Sequence, residues 1–162
     1  MLNYNESLIN LFLQKKLLKN SMITTTFILI THTIIFSYII LSLLVYLKKI
    51  NIDEIIKYTI GFFIVMIVKQ LAERPRPYIV NNNVTQYDNH VNDYRSFPSG
   101  HGYSAFYFYF LIDNIVPKNT YLYIFLKGFC IMVAFSRLVL GVHYITDIIA
   151  SYMIIRYFIK VL

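Results

Sequence analysis

The chain has 162 residues, of which 57% are hydrophobic and only 14% charged. Soluble domains are about 45–50% apolar even with glycine counted, and a particle of this size with so few polar side chains cannot cover its surface for water. The net charge of +7, from 15 Lys and Arg against 8 Asp and Glu, does not form the basic stripe of a nucleic-acid binder, because the bases punctuate apolar runs. The single cysteine, Cys130, lies inside such a run, so neither a disulfide framework nor a thiolate metal site is expected, and it reads as a small hydrophobe.

Residues 1–20 read as an amphipathic interfacial helix, with Leu8, Leu11, Phe12 and Leu18 opposed to Asn10, Gln14, Lys15 and Lys19, and without the length or cleavage site of a signal peptide. Ile23 to Leu47 carries no formal charge and makes roughly 37 Å of helix, enough to cross a ~30 Å hydrocarbon core with tilt. Lys48 to Glu54 form a polar turn, and Ile55 to Leu71 a second span that Pro75 and Pro77 end. Residues 74–97 are a polar loop. A third span starts at Pro98-Ser99 and runs to Val116, before a turn at Pro117, Lys118 and Asn119. Tyr121 to Leu140 is a fourth, closed by Gly141 as a C-cap, and Tyr144 to Leu162 a fifth. Only helices and closed barrels satisfy their backbones in lipid, and alternating strand patterns are absent. The expected fold is therefore all-α: a single domain over residues 1–162, a polytopic transmembrane bundle of about five spans plus the N-terminal helix. Alternation puts the start of span one, the 74–97 loop and the turn at Gly141 on one face, and the 48–54 and 117–119 turns and the C-terminus on the other.

Three clusters fall at span ends on the first face. Lys69 precedes Arg76-Pro77 by nearly two helical turns, so ammonium and guanidinium can converge at the membrane surface. The competing reading has Lys69 snorkelling to pair with Glu73, with Arg74 to Pro77 as a basic linker. In Pro98-Ser99-Gly100-His101, Ser99 caps a helix, Gly100 permits close approach, and the first amides make an anion site beside His101; the alternative is an ordinary helix start with an interfacial histidine. Ser136-Arg137, His143 and Asp147 form the third. His143 and Asp147 are i and i+4, so the carboxylate can orient the imidazole and leave its other nitrogen free, as in an activated nucleophile; the alternative pairs Asp147 with Arg137 across the turn. His32 reads as a hydrogen-bonded bundle residue, His90 as a loop residue without companion ligands, Lys127 and Asp113 as snorkelling or paired, and the 78–97 segment as either a lid or a solvated connector.

Together, Lys69-x6-Arg76-Pro77, Pro98-Ser99-Gly100-His101 and Ser136-Arg137-x5-His143-x3-Asp147 resemble the three-part signature of the type 2 phosphatidic acid phosphatase superfamily, in its membrane branch. All eleven fixed positions are present, over about half the chain from Lys69 to Asp147. The chain departs at the N-terminus, where members of that branch usually carry a further span and this sequence has the amphipathic 1–20 helix. The resemblance implies a lipid phosphatase in which His143 attacks phosphorus to form a phosphohistidine, Asp147 orients it and His101 protonates the leaving oxygen. Lys69, Arg76, Ser99, Gly100 and Arg137 would hold the phosphate. No metal or cofactor is expected, since carboxylates and histidines at metal-ligand spacing are absent; fixed cations and donors suit a transition state that spreads charge over three oxygens.

The implied substrates are lipid monophosphates or diphosphates, including phosphatidate, phosphatidylglycerol phosphate, polyprenyl diphosphate carriers and lipid A phosphates. The expected partners are such a lipid and the bilayer, with no nucleic acid and an oligomeric state left open. Excess Lys and Arg at the opposite span ends points to a multi-pass cell-membrane protein with its site on the non-cytoplasmic face, a bias that shrinks to five against seven when Lys15, Lys16 and Lys19 are counted. Rival readings are a lipid-binding or transport protein that uses the same pocket without hydrolysis, a structural subunit with lipid-anchoring basic ends, and, more remotely, a haloperoxidase-like use of the cradle.

Overall fold

A computed structural model describes residues 2–32 and 36–161. Among the described residues eight helices run in order: α1 (Leu2–Leu17), α2 (Ser21–His32), α3 (Ser37–Tyr46), α4 (Ile52–Ala72), α5 (Pro77–Val80), α6 (Gly100–Ile115), α7 (Tyr121–Val139) and α8 (Ile145–Val161). The described residues contain no strand beyond an isolated antiparallel bridge between Pro75 and Arg95. The chain is all-α, as expected.

Local chemistry sets the ends of the long helices. Asp53 and Glu54 occupy the first turn of α4, where the helix dipole favours acids. The same helix stops at Glu73 in a left-handed conformation, two residues before Pro75. Ser99 caps α6 by accepting the Gly102 amide at 3.0 Å, and Thr120 caps α7 by accepting that of Tyr123 at 3.2 Å. Beyond α7, Gly141 takes φ +75°, and a Cβ there would lie 2.6 Å from both Gln14 Nε2 and Thr85 O, so both conformation and space require glycine.

The central helix is α6, packed by α4, α7 and α8. Its contact with α4 is aromatic, built from Tyr58, Tyr103 and Tyr107 with Phe62 and Phe108 at the margin. A hydroxyl chain crosses it, Ser37 Oγ to Tyr58 Oη at 2.9 Å and on to Ser104 Oγ at 2.6 Å. Its contact with α7 and α8 is aliphatic, through Ala105, Val133, Ala134 and Leu138 with Ile148 from α8.

Among the described residues two helices, α4 and α7, are long and apolar enough to cross a membrane. The segment expected as one span from Ile23 to Leu47 is described as α2 and α3, of 12 and 10 residues, with 33–35 of that expectation outside the described residues. Either piece alone is under the ~20 residues a crossing needs. α2 leans on the C-terminal half of α7, with Phe27 against Phe135.

The N-terminal helix is amphipathic, and its polar row is the one that packs on the rest of the fold. Ser7, Asn10 and Gln14 of α1 are buried, while Leu2, Leu8, Ile9 and Phe12 face outward. The polar row is consumed by hydrogen bonds to the rest of the fold, which leaves the apolar row for the surroundings. The 74–97 segment is likewise a packed part of the molecule and not a solvated connector. Ser96 and Arg76 amides pair with Arg74 and Tyr94 carbonyls at 2.7 and 3.1 Å, and Asn81, Asp88 and Ser96 are buried.

Candidate functional site

The three sequence clusters meet. Lys69 near the end of α4, Arg76 at the start of the loop, Gly100 and His101 on the first turn of α6, Arg137 near the end of α7 and His143 in the α7–α8 turn line one cavity of about 350 Å³. Its other walls include Ser37, Tyr58, Phe62, Met66, Val91 and Ser104, so a cationic end faces an aromatic and hydroxylic one.

Each cation is fixed by groups that leave charge to spare. Lys69 is buried, and its Nζ donates to the Arg95 and Ser96 carbonyls at 3.3 Å each; these loop carbonyls, not the carboxylate of Glu73, are its partners. Arg76 donates to the carbonyls of Asp93 and Val142 and approaches His143 Nε2 at 3.3 Å. Burial pulls its pKa down to about 10, which still leaves it charged at neutral pH. Burial also pushes Asp93 upward, but bonds from the Arg95 side chain and amide outweigh this and hold its carboxyl below the usual carboxylate value.

Arg137 is completely buried. Its Nη1 donates to Thr31 Oγ1 and, at 2.8 Å, to Asp88 Oδ2, whereas Nε and Nη2 have no hydrogen-bond partner among the described residues. The Arg137–Asp147 pairing considered from the sequence is absent. Asp88, from the loop, is the counter-ion instead, and it also brings His32 and His90 together: His32 Nε2 lies 3.9 Å from Asp88 Oδ1, the His90 amide donates to that oxygen, and the two imidazoles meet edge to face at 4.9 Å. His90 thus has Asp88 and His32 as neighbours, although no group of His, Cys, Asp or Glu among the described residues is arranged to hold a metal.

The nucleophile candidate is held from both sides. His143 Nδ1 lies 3.3 Å from Asp147 Oδ2, the i to i+4 relationship expected, and Nε2 faces Arg76 and the cavity. Burial, followed by the charges of Arg76, Lys69 and Arg137, holds the His143 pKa well below its ordinary value, so the imidazole is neutral with a lone pair to offer. Asp147 is completely buried and also accepts the Tyr144 amide at 2.9 Å and Arg74 Nη1 at 2.7 Å. Arg74 in turn donates to Asn3 and Glu6 of α1. Asn10 of α1 donates to the carbonyls of Leu138 and His143, at 2.8 Å each.

Ser99 stands just behind the wall: its Oγ caps α6, its amide approaches Asp147 O at 3.4 Å, and its carbonyl accepts from Ser151. Asp113 and Lys127 pair at 2.8 Å, well away from this cavity. The sequence reading missed Asp88, Arg74 and Asn10. Arg74 adjoins a motif and offered a weak signal; the other two offered none, since their partners lie 49 and 133 positions away.

Neutral imidazole, three buried cations and a helix start around one cavity are what an in-line transfer of a phosphoryl group requires. No curated protein and no solved structure matches the chain. A model of the PAP2 superfamily matches residues 33–162, which takes in every residue around the cavity, and the chain belongs to that family.

Proposed function

We propose that this protein is an integral membrane phosphatase that removes phosphate from a lipid monophosphate or diphosphate through a phosphohistidine on His143. Family membership supports phosphoric ester hydrolysis in general. The observation that carries the finer reading is Arg137, whose buried Nε and Nη2 donors lack partners among the described residues while the same side chain lines the cavity with Lys69, Arg76 and His143. An orphaned buried guanidinium edge is costly unless an anion completes it.

In the first step the His143 Nε2 lone pair attacks phosphorus, the bond from phosphorus to the leaving oxygen breaks, and His101, as imidazolium beside the bound anion, gives that oxygen its proton. A water then gives a proton to His101 and attacks in line. The phosphorus–nitrogen bond breaks, phosphate leaves, and both histidines return to their starting forms. Asp147 keeps Nδ1 protonated and Nε2 free. Lys69, Arg76, Arg137 and the α6 start balance charge on the equatorial oxygens, with Ser99 supporting Gly100 from behind.

Outward apolar rows support burial in lipid: Ile56, Ile60, Phe63 and Ile67 on α4, and Ile145, Ile149 and Met153 on α8, recur at helical spacing and are exposed. In this reading α6, α8 and the 23–47 segment join α4 and α7 as crossings, and the site opens at headgroup level on the non-cytoplasmic side. The test is phosphate release from a panel of lipid phosphates and diphosphates with EDTA present, His143→Ala serving as the blank. Release by the wild type alone supports the assignment; equal release by both, or none from any lipid, overturns it.

A further inference from the structure

A second cavity adjoins the first. It measures about 290 Å³ and lies between α3, α6 and α7, lined by Ile40, Leu44, Phe108, Ile112, Phe129 and Cys130 among others, and Ser37 lines both cavities. From Ala105 to Ile115 the wall follows one face of α6 for roughly 15 Å. Apart from Ser37 and Cys130 this wall is hydrocarbon or aromatic. At the junction stands the hydroxyl chain Ser37–Tyr58–Ser104. Along one line, then, the molecule presents three cations with two histidines, then three hydroxyls, then a dry slot.

That order of polarity is the mirror of an amphiphile with a phosphate at one end. We infer that the α3–α6–α7 slot binds a hydrocarbon chain of the substrate whose phosphate occupies the His143 cavity, so the enzyme selects phosphates by chain length. The inference rests on the phosphatase reading and adds to it a specific place for the chain. The occupant is a substrate chain, and not a bulk lipid held independently, because the slot borders the phosphate cavity and shares its Ser37 wall. A slot no larger than the lower end of small-molecule pockets, ~300–1,000 Å³, suits one chain. Oxygen atoms next to the phosphate, such as those of an ester or alcohol, would meet the hydroxyl collar.

Cys130, the one thiol in the sequence, lines this slot and reports on it. Its alkylation by N-ethylmaleimide is followed by mass spectrometry in the His143→Ala protein in phosphatidylcholine nanodiscs, so that bound phosphate esters are not consumed. Dodecyl phosphate is expected to slow labelling at least tenfold, with butyl phosphate and dodecanol at the same concentration having little effect. Equal labelling with dodecyl and butyl phosphate overturns the inference, whether or not the wild type hydrolyses either. Protection by dodecanol equal to that by dodecyl phosphate also overturns it, since the slot would then be independent of the phosphate site.

Turnover provides the second measurement. In the wild type, kcat/KM for n-alkyl phosphates should climb by roughly fourfold per methylene until the slot is filled. Cys130→Phe should remove most of that gain while leaving p-nitrophenyl phosphate hydrolysis within about twofold, which certifies the fold of the variant. An unaltered chain-length series in a folded Cys130→Phe overturns the inference. If no phosphate ester is hydrolysed while dodecyl phosphate still protects Cys130, the phosphatase reading fails and the slot stands.

Discussion

The Asn10 carboxamide donates to the His143 carbonyl and to the Leu138 carbonyl, each at 2.8 Å, from a position 133 residues away in sequence. Both of its protons are used, and both acceptors belong to the stretch that carries Arg137 and His143. Left-handed Gly141 turns the chain sharply there, and α1 adds two side-chain donors to the bond that the Gly141 amide makes to Leu138 O within the turn.

Replacing Asn10 by Ala removes the side-chain donor from two carbonyls, of which Leu138 O keeps the Gly141 amide at 3.1 Å, so the expected cost is about 1–3 kcal/mol in all. Asn10→Asp keeps the shape but sets a carboxylate against them. Both variants should lower the thermal midpoint and reduce kcat at least tenfold with KM within about threefold, because the cations that bind phosphate sit on α4, α7 and the loop. Steady-state kinetics on the purified variants decides this; wild-type kcat in Asn10→Asp would refute α1 as the brace of the nucleophile.

Asp88 and Arg137 are a completely buried pair, so removing one charge exposes the other to a low-dielectric interior. Asp88→Asn should destabilise the protein by about 3–5 kcal/mol, read as a fall in the unfolding midpoint. Retention of the wild-type midpoint would mean that the loop carboxylate does not hold the guanidinium.

Arg137→Lys separates charge from geometry. Lysine can keep the contact with Asp88 but has no Nε and Nη2 edge, and a charge-assisted hydrogen bond contributes about 1.5–3 kcal/mol. Vanadate, which imitates five-coordinate phosphorus, should bind the variant roughly 10–100-fold more weakly. Calorimetric titration would show this, and undiminished affinity would place the anion elsewhere.

Much of this was legible in the sequence, for local reasons. Helices α4, α6, α7 and α8 were readable within a few residues because uninterrupted apolar runs end at Pro75, Ser99, Pro117 and Gly141, residues whose backbone chemistry stops or starts a helix. The Lys69, Arg76, His101, Arg137 and His143 set was readable because each motif sits at such an end, and topology alone brought those ends together. What stayed hidden depends on the path of the loop. Nothing near Asp88 announces Arg137, and nothing near Arg74 announces that it, and not Arg137, would take Asp147. The packing of α1 was hidden for a different reason: Asn10 and Gln14 read as the polar side of an amphipathic helix, and nothing near them announces that their partners are backbone carbonyls of the α7–α8 turn and of the loop.

Gly61 of α4 is tied to α6 by contact rather than by conformation. A Cβ there would fall 2.1 Å from Tyr103 Oη, the hydroxyl that donates to Tyr58 O at 3.1 Å. Gly61→Ala should displace the ring and destabilise the fold by about 1–3 kcal/mol, whereas Gly128→Ala, with nothing within 4 Å of the added carbon, should be tolerated. Unfolding midpoints that rank the two variants the other way would contradict the α4–α6 packing.

His143 gives the protein an acid-sensitive fold. Its folded pKa lies below the ordinary value of about 6.5 because of burial and the facing cations Arg76, Lys69 and Arg137, and the neighbouring Asp147 carboxylate does not reverse this. The unfolded chain therefore binds the proton that the folded one refuses, and stability rises with pH wherever the unfolded state holds more protons. This contribution is constant above about pH 7 and is lost progressively as pH falls through 6.5 and below, by at most ~1.4 kcal/mol per pH unit for one group. The unfolding midpoint measured from pH 8 to pH 5 should hold level and then decline. In His143→Gln, which keeps a polar side chain but cannot titrate, the decline should be shallower; an identical pH dependence in the two proteins would show that His143 is not the group responsible.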